Sequence, residues 1–259
     1  MILIILRIIF VVTLGILIFR ICEYCYPALV GSARLPDNTV KSTEGLAAAA
    51  KAETILEKEK FLNIPYINQL KDYPNGCESV SAVMVLKYLD VDITVEDFVN
   101  LYLDKGLSPC LDDEGRLIGC DPWEAYPGSP YDETGWGCFA PVIVNALNKF
   151  LDASEFAVEE MYDVPLETLC SEFIDNDIPV LIWATVDMKE AREGNTWTVP
   201  DTGKRVRWIN PMHCLVLVGY DGIYYYFNDP MSKKQCGYRK KEVESAYKSM
   251  GCQAVAVYN

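Results

Sequence analysis

The run NPMHCLVLVGYDGIYYYFNDP, residues 210–230, leaves the backbone few choices. Cys214 to Val218 are continuously apolar, Tyr220-Asp221-Gly222 has turn chemistry, and Ile223 to Phe227 are aromatic or β-branched. This pattern predicts a β-hairpin, and therefore an antiparallel sheet. His213 stands at the start of the first strand and is the chain's one histidine, which excludes any site built from two imidazoles. Across a hairpin, the first residue of one strand lies near the last of the next. The turn therefore carries Asp229 or Asn228 towards His213, and because side chains alternate along a strand, one of the two faces it.

A second segment has an equally strong local pattern. Asn68 to Gly76 reads as a polar loop ending in a Pro74-Asn75-Gly76 turn. CESVSAVMVLKYL follows, with Val80, Val83, Met84 and Leu86 at helical spacing. Cys77 thus opens a buried helix, where unpaired N–H groups and the helix dipole favour a thiolate and predict a lowered pKa. Upstream, Phe61 to Ile67 predicts a short strand, with Pro65 marking an edge. Cysteine, histidine and an orienting acid are the parts of nucleophilic acyl chemistry. Gln69, an ordinary loop residue when read alone, has an amide N–H able to join the Cys77 backbone N–H around a developing oxyanion.

The remainder of the sequence bounds the setting. With 259 residues the chain suits one large domain or two small ones. Asp and Glu number 37 against 23 Lys and Arg, and the net charge of −14 argues against nucleic acid as a partner. The lone C-x-x-C, Cys22 to Cys25, has no second half, so no structural zinc site is expected. Acyl transfer by a thiolate requires no metal or organic cofactor. Met1 to Phe19 is apolar except for Arg7, and Arg20 closes it. Residues 1–25 are therefore expected to be a cleaved signal peptide or a transmembrane anchor, residues 26–60 a linker, and residues 61–259 a domain held at the membrane or secreted.

The segments IPYINQ, NGCESVSAVMVLKYL, YDETGWGCFAPVIVNALNKFL, IPVLIWATVDM and MHCLVLVGYDGIYYYFNDP together resemble the papain-like cysteine peptidases of family thirty-nine. Well-known members of that family trim double-glycine leaders from bacteriocins, and the likeness is closer to their stand-alone Gram-positive relatives. The resemblance spans about residues 61–259. It implies an α+β papain-like fold, with a helical part bearing the nucleophile packed on an antiparallel sheet bearing the histidine. By the same likeness Cys77 is the nucleophile, His213 the general base, Asp229 its orienter (Asn228 the lesser candidate) and Gln69 the oxyanion donor. The sequence has no G-x-x-x-x-G-K-[ST] nucleotide-binding motif, unlike a peptidase fused to an exporter.

Residues 104–138, rich in Gly, Pro, Asp and Trp and without helical periodicity, read as a wall of the cleft. Trp123, Tyr126 and Trp136 are its candidate substrate contacts, or else anchors of the loop. Cys110 and Cys120 bracket a turn within it. Cys236 and Cys252 bracket a final helix near 240–250 and are the favoured disulfide pair in an exported domain. Cys138, Cys170 and Cys214 read as small buried residues. The expected function is a thiol peptidase acting on peptides or proteins outside the cytoplasmic membrane. The alternatives are an amidase of cell-wall peptide, which the pI near 4.5 disfavours, and an inactive peptide-binding domain of the same fold.

Overall fold

Mostly apolar strands need cover on both faces, and three among the described residues are buried along nearly their whole length. The structure is a computed structural model describing residues 59–152 and 154–259; the expected signal or anchor and almost all of the linker lie outside the described residues. In chain order the elements begin with β1 (Lys60–Phe61), α1 (Cys77–Tyr88), the single turn α2 (Val95–Asp97), β2 (Lys105–Gly106), β3 (Cys110–Leu111), β4 (Leu117–Ile118) and β5 (Tyr126–Pro127). Next come α3 (Ala140–Phe150), β6 (Ala157–Met161), α4 (Leu166–Glu172), β7 (Val180–Thr185), β8 (Arg192–Thr198) and β9 (Arg205–Asn210). The chain closes with β10 (Met212–Tyr220), β11 (Tyr224–Asn228), β12 (Cys236–Arg239), α5 (Lys240–Ser249) and β13 (Ala254–Tyr258).

The main sheet is antiparallel throughout, in the order β12-β11-β10-β7-β13-β6, with β1 on β10. All of β7, His213 to Tyr220 of β10 and Ala254 to Val257 of β13 are buried. Helices and sheet together make an α+β fold. Helix α1 is buried from Cys77 through Leu86, as expected of a helix apolar on nearly every side. Ser81 Oγ spends its polarity on the Cys214 carbonyl at 3.2 Å, tying α1 to β10.

A smaller sheet, β3-β4-β8-β9, stands apart from the first. Its β8–β9 hairpin alternates cleanly on β9, with Val206 and Trp208 buried and Arg205 and Arg207 exposed. Arg207 pairs with Glu193 at 2.6 Å on the exposed side. Residues 104–138 are thus no plain loop. They hold four two-residue strands, and Ile118 of β4 pairs in parallel with Thr198 of β8.

Two further expectations change. The strand predicted over Phe61 to Ile67 is reduced to Lys60–Phe61, because Pro65 has no N–H to give a ladder. Downstream of β1, Leu62 N–H reaches Val218 O at 2.7 Å, and the Asn228 amide donates to the Ile64 and Pro65 carbonyls. The Cys236–Cys252 disulfide is not present; both residues are thiols. Cys236 opens β12 in register with Phe227 and its Sγ lies 3.6 Å from the Phe227 carbonyl, whereas Cys252 follows α5. The strand pairing that closes the sheet separates the two ends the bridge would have joined.

Candidate active site

The site begins with a turn that has no room for a side chain. Gly76 N–H bonds Tyr73 O at 2.9 Å, and a Cβ on Gly76 would lie 2.9 Å from Tyr73 Cβ. The chain therefore enters α1 with Cys77 as its first residue. Upstream, the Gln69 N–H bonds Pro230 O at 2.9 Å. That bond docks the glutamine loop onto the turn following β11.

On the opposite side, β10 carries His213 in register with Ala184 of β7. The β10–β11 ladder ends at Val216 opposite Asn228, so Asp229 lies one residue beyond it in a turn closed by its own N–H to Lys233 O. His213 Nε2 lies 2.8 Å from Asp229 Oδ1. Asn228 points the other way, to the Ile64 and Pro65 carbonyls. The choice left open between the two is made by alternation at the strand end. Tyr238 O–H donates to Asp229 Oδ2 at 2.8 Å and Met231 N–H to Oδ1 at 2.9 Å. Burial pushes the Asp229 carboxyl up, but these donors and the His213 ring outweigh it and hold the group below its ordinary value. An ionised carboxylate only accepts, so Nε2 is the donor, which makes Nδ1 the acceptor nitrogen of the neutral ring. That Nδ1 is buried without a hydrogen-bond partner.

Cys77, His213 and Gln69 line one cleft of about 280 Å³, together with Trp136, Val186, Trp208, Met212 and Met231. Gln69 Nε2 donates to Pro74 O at 2.8 Å, which commits one of its two hydrogens and leaves Oε1 buried and unpartnered. The Cys77 thiol departs from expectation. Burial first, then the neighbouring Glu78 carboxyl, push it well above an ordinary thiol, against the lowered value expected of a helix start. Cys77 Sγ–H donates to Glu78 Oε2 at 3.3 Å.

The aromatic expectations divide. Trp136 lines the cleft. Tyr126 does not serve as a substrate contact, because it is fully buried and its hydroxyl donates to Asn75 O at 2.6 Å beneath the turn that precedes Cys77. Trp123 lies outside the cleft lining, stacked on Phe139 with ring centroids 4.4 Å apart. Tyr126 is thus an anchor of the wall, whereas Trp123 is exposed beside it. Several lining residues escaped the sequence reading, among them Val186, Trp208, Met212 and Met231. Trp208 comes from the β8–β9 hairpin and packs edge-on against Trp136 at 5.8 Å; alternating polarity in RVRWIN was its signal. Met212 and Met231 immediately flank the His213 and Asp229-Pro230 positions. Tyr238 and Glu78 were also missed. Nothing local marks Tyr238, whereas a carboxyl in the first turn of an otherwise buried helix marks Glu78. Among the described residues no group of three His, Cys, Asp or Glu side chains is placed to hold a metal ion.

A family model described as "Peptidase_C39 like family" matches residues 61–255. The chain belongs to the Peptidase_C39 like family. Within it, the uncharacterized protein YvpB of Bacillus subtilis (strain 168) is 26% identical over 223 residues, covering 84% of each chain. A Bacillus anthracis protein described as a candidate C39-like peptidase shares the fold, with a TM-score of 0.67 and 24% identity over 78% of this chain and 98% of its own. A double-glycine-motif protease of an AMS/PCAT transporter, solved with its leader peptide, is a looser likeness at a TM-score of 0.40 and 15% identity. For this C39-like chain, family membership and fold together point to peptidase or related chemistry.

Proposed function

We propose that this chain is a thiol peptidase that hydrolyses peptide bonds outside the cytoplasmic membrane by a Cys-His-Asp mechanism. The observation that carries the reading is the buried His213–Asp229 pair, whose unpartnered Nδ1 belongs to a residue lining the same cleft as Cys77. In the first step Nδ1 takes the Cys77 proton while sulfur attacks the scissile carbonyl carbon. The resulting imidazolium is stabilised by Asp229, whose carboxylate Tyr238 and Met231 hold in place. The Cys77 backbone N–H and the second Gln69 Nε2 hydrogen stabilise the oxyanion. When the tetrahedral intermediate collapses, the C–N bond breaks, the leaving amine takes the proton from His213, and an acyl-thioester remains. Water, deprotonated by the same Nδ1, then releases the carboxylate product and restores the thiol.

Placement outside the membrane is supported by the apolar run Met1 to Phe19; among the described residues no helix is long and apolar enough to cross a bilayer. An inactive binding domain has no need of a buried histidine poised by a carboxylate. Incubating the solubilised full chain with a peptide library, beside Cys77→Ala, tests the proposal. Defined cleavage products that vanish in the variant are expected, and a library left intact by the wild-type chain would overturn it.

A further inference from the structure

Glu78 is a carboxylic side chain with no solvent exposure, lying between the nucleophile and the loop that enters α3. Its Oε1 accepts the Cys138 N–H at 2.6 Å, and its Oε2 accepts the Cys77 thiol at 3.3 Å. The carboxyl is closely fitted: Gly137 has φ +113, and a Cβ there would stand 2.7 Å from Glu78 Oε1 and 2.3 Å from Met212 Cε. Meanwhile His213 Nδ1, the acceptor the chemistry needs, has no hydrogen-bond partner. The thiol thus spends its hydrogen on the carboxyl next to it in sequence rather than on the imidazole.

We infer that Glu78 is a positioning residue that holds Cys77 in a resting thiol arrangement, from which the sulfur must exchange Oε2 for His213 Nδ1 before it attacks. This inference rests on the thiol-peptidase reading of Cys77 and adds a gate to it. In the exchange the S–H···Oε2 bond breaks, an S–H···Nδ1 bond forms, and the proton passes to Nδ1 as the sulfur electron pair forms the C–S bond. No other reactant is consumed. The titratable groups around Glu78 are Cys77 on its own helix, Tyr126 and Cys138 from the 104–138 segment, and His213 and Cys214 from β10. Of these only the His213 ring can carry a positive charge, as it does once Nδ1 has taken the Cys77 proton. Burial raises the Glu78 carboxyl above its ordinary value, against its own backbone N–H and that of Cys138; in its ionised form this carboxyl beside the sulfur disfavours a thiolate until that imidazolium exists.

The test is the pH dependence of Cys77 alkylation by iodoacetamide, read on the Cys77 peptide by mass spectrometry, in the full chain and in Glu78→Gln. The Cys138 N–H requires an acceptor, so the glutamine oxygen must occupy the Oε1 position and its NH2 must face the sulfur. With the charge gone and a donor in its place, the alkylation midpoint falls by about one pH unit or more, and labelling near neutrality rises about tenfold. A purely structural Glu78 leaves the midpoint where it was in a folded variant, and that result overturns the inference. If Glu78→Gln does not fold, the wild-type chain decides. The infrared S–H stretch of Cys77, isolated by difference against Cys77→Ala, is lowered by a carboxylate acceptor; a free-thiol frequency refutes the assignment. Neither readout needs turnover, so a chain that cleaves nothing counts against the peptidase reading and leaves this result legible.

Discussion

The two walls of the cleft are held by different means. The wall formed by α1, the β10–β11 hairpin and the turn after it is built on long, largely buried elements, and Cys77, Glu78, His213 and Asp229 are all nearly inaccessible. The wall formed by residues 104–138 and the β8–β9 hairpin consists of two-residue strands and an exposed ladder. It is held largely by Trp136, Trp197 and Trp208, whose ring centroids lie 5.4 to 6.0 Å apart. Groups that exchange a proton must keep their spacing to within a fraction of an ångström, which buried backbone can enforce. A surface that recognises side chains needs shape and apolar area, which aromatic rings on a short sheet provide. On this reading chemistry belongs to the first wall and selection to the second.

Substitutions that separate these roles give the sharpest tests. The largest effect is expected for Cys77→Ala, with peptide cleavage lost by about 10³-fold or more while the unfolding transition stays cooperative. Residual turnover above that level would move the nucleophile elsewhere. Removing the base in His213→Ala lowers kcat by about 10²–10⁴-fold. In contrast, Trp136→Ala on the second wall is expected to raise KM and alter the preferred peptide, changing kcat/KM by about tenfold with kcat nearly unchanged. A kcat collapse in that variant would erase the distinction between the walls.

Asp229 tests the first wall through stability. Its folded pKa lies below the ordinary value of 3.8. The stabilisation is therefore present above that value and is lost as pH falls through the lower, folded pKa. Thermal melts of wild type and Asp229→Asn should differ at neutral pH and converge in strong acid; a constant difference would remove the linkage. The smallest effect is expected from reductant. Because Cys236 and Cys252 are thiols, adding it should shift the Tm by less than about 1 °C, whereas a bridge worth about 2–4 kcal/mol would give a drop of several degrees.

Legibility in the sequence follows the same division. Helix α1 and the β10–β11 hairpin were readable because each is a run of local preferences: a Pro-Asn-Gly turn before an apolar helix, and an Asp-Gly turn between apolar strands. The second wall was not. Its strands are too short for periodicity to register, and their partners lie far along the chain, as with Ile118 and Thr198. Tyr126 and Trp136 belong to the same aromatic-rich segment, yet one ends in the core and the other in the cleft. Nothing local to either residue makes that distinction. The direction of the Cys77 shift differs from the sequence expectation for a related reason. A helix start favours a thiolate, but desolvation inside the fold and a carboxyl turned onto the sulfur act more strongly.

The order of residues alone determined which groups could react: one imidazole, one cysteine at a helix start, and an acid one residue beyond the strand paired with the histidine's own. These depend on spacing along the backbone, where torsional preferences act over a few residues. Tertiary packing decided what state those groups are in. Long-range contacts delivered the Tyr238 hydroxyl to Asp229, Trp208 to the cleft and the Cys138 N–H to Glu78. Solvent exclusion and partner geometry are properties of the assembled interior, and they set where each proton rests.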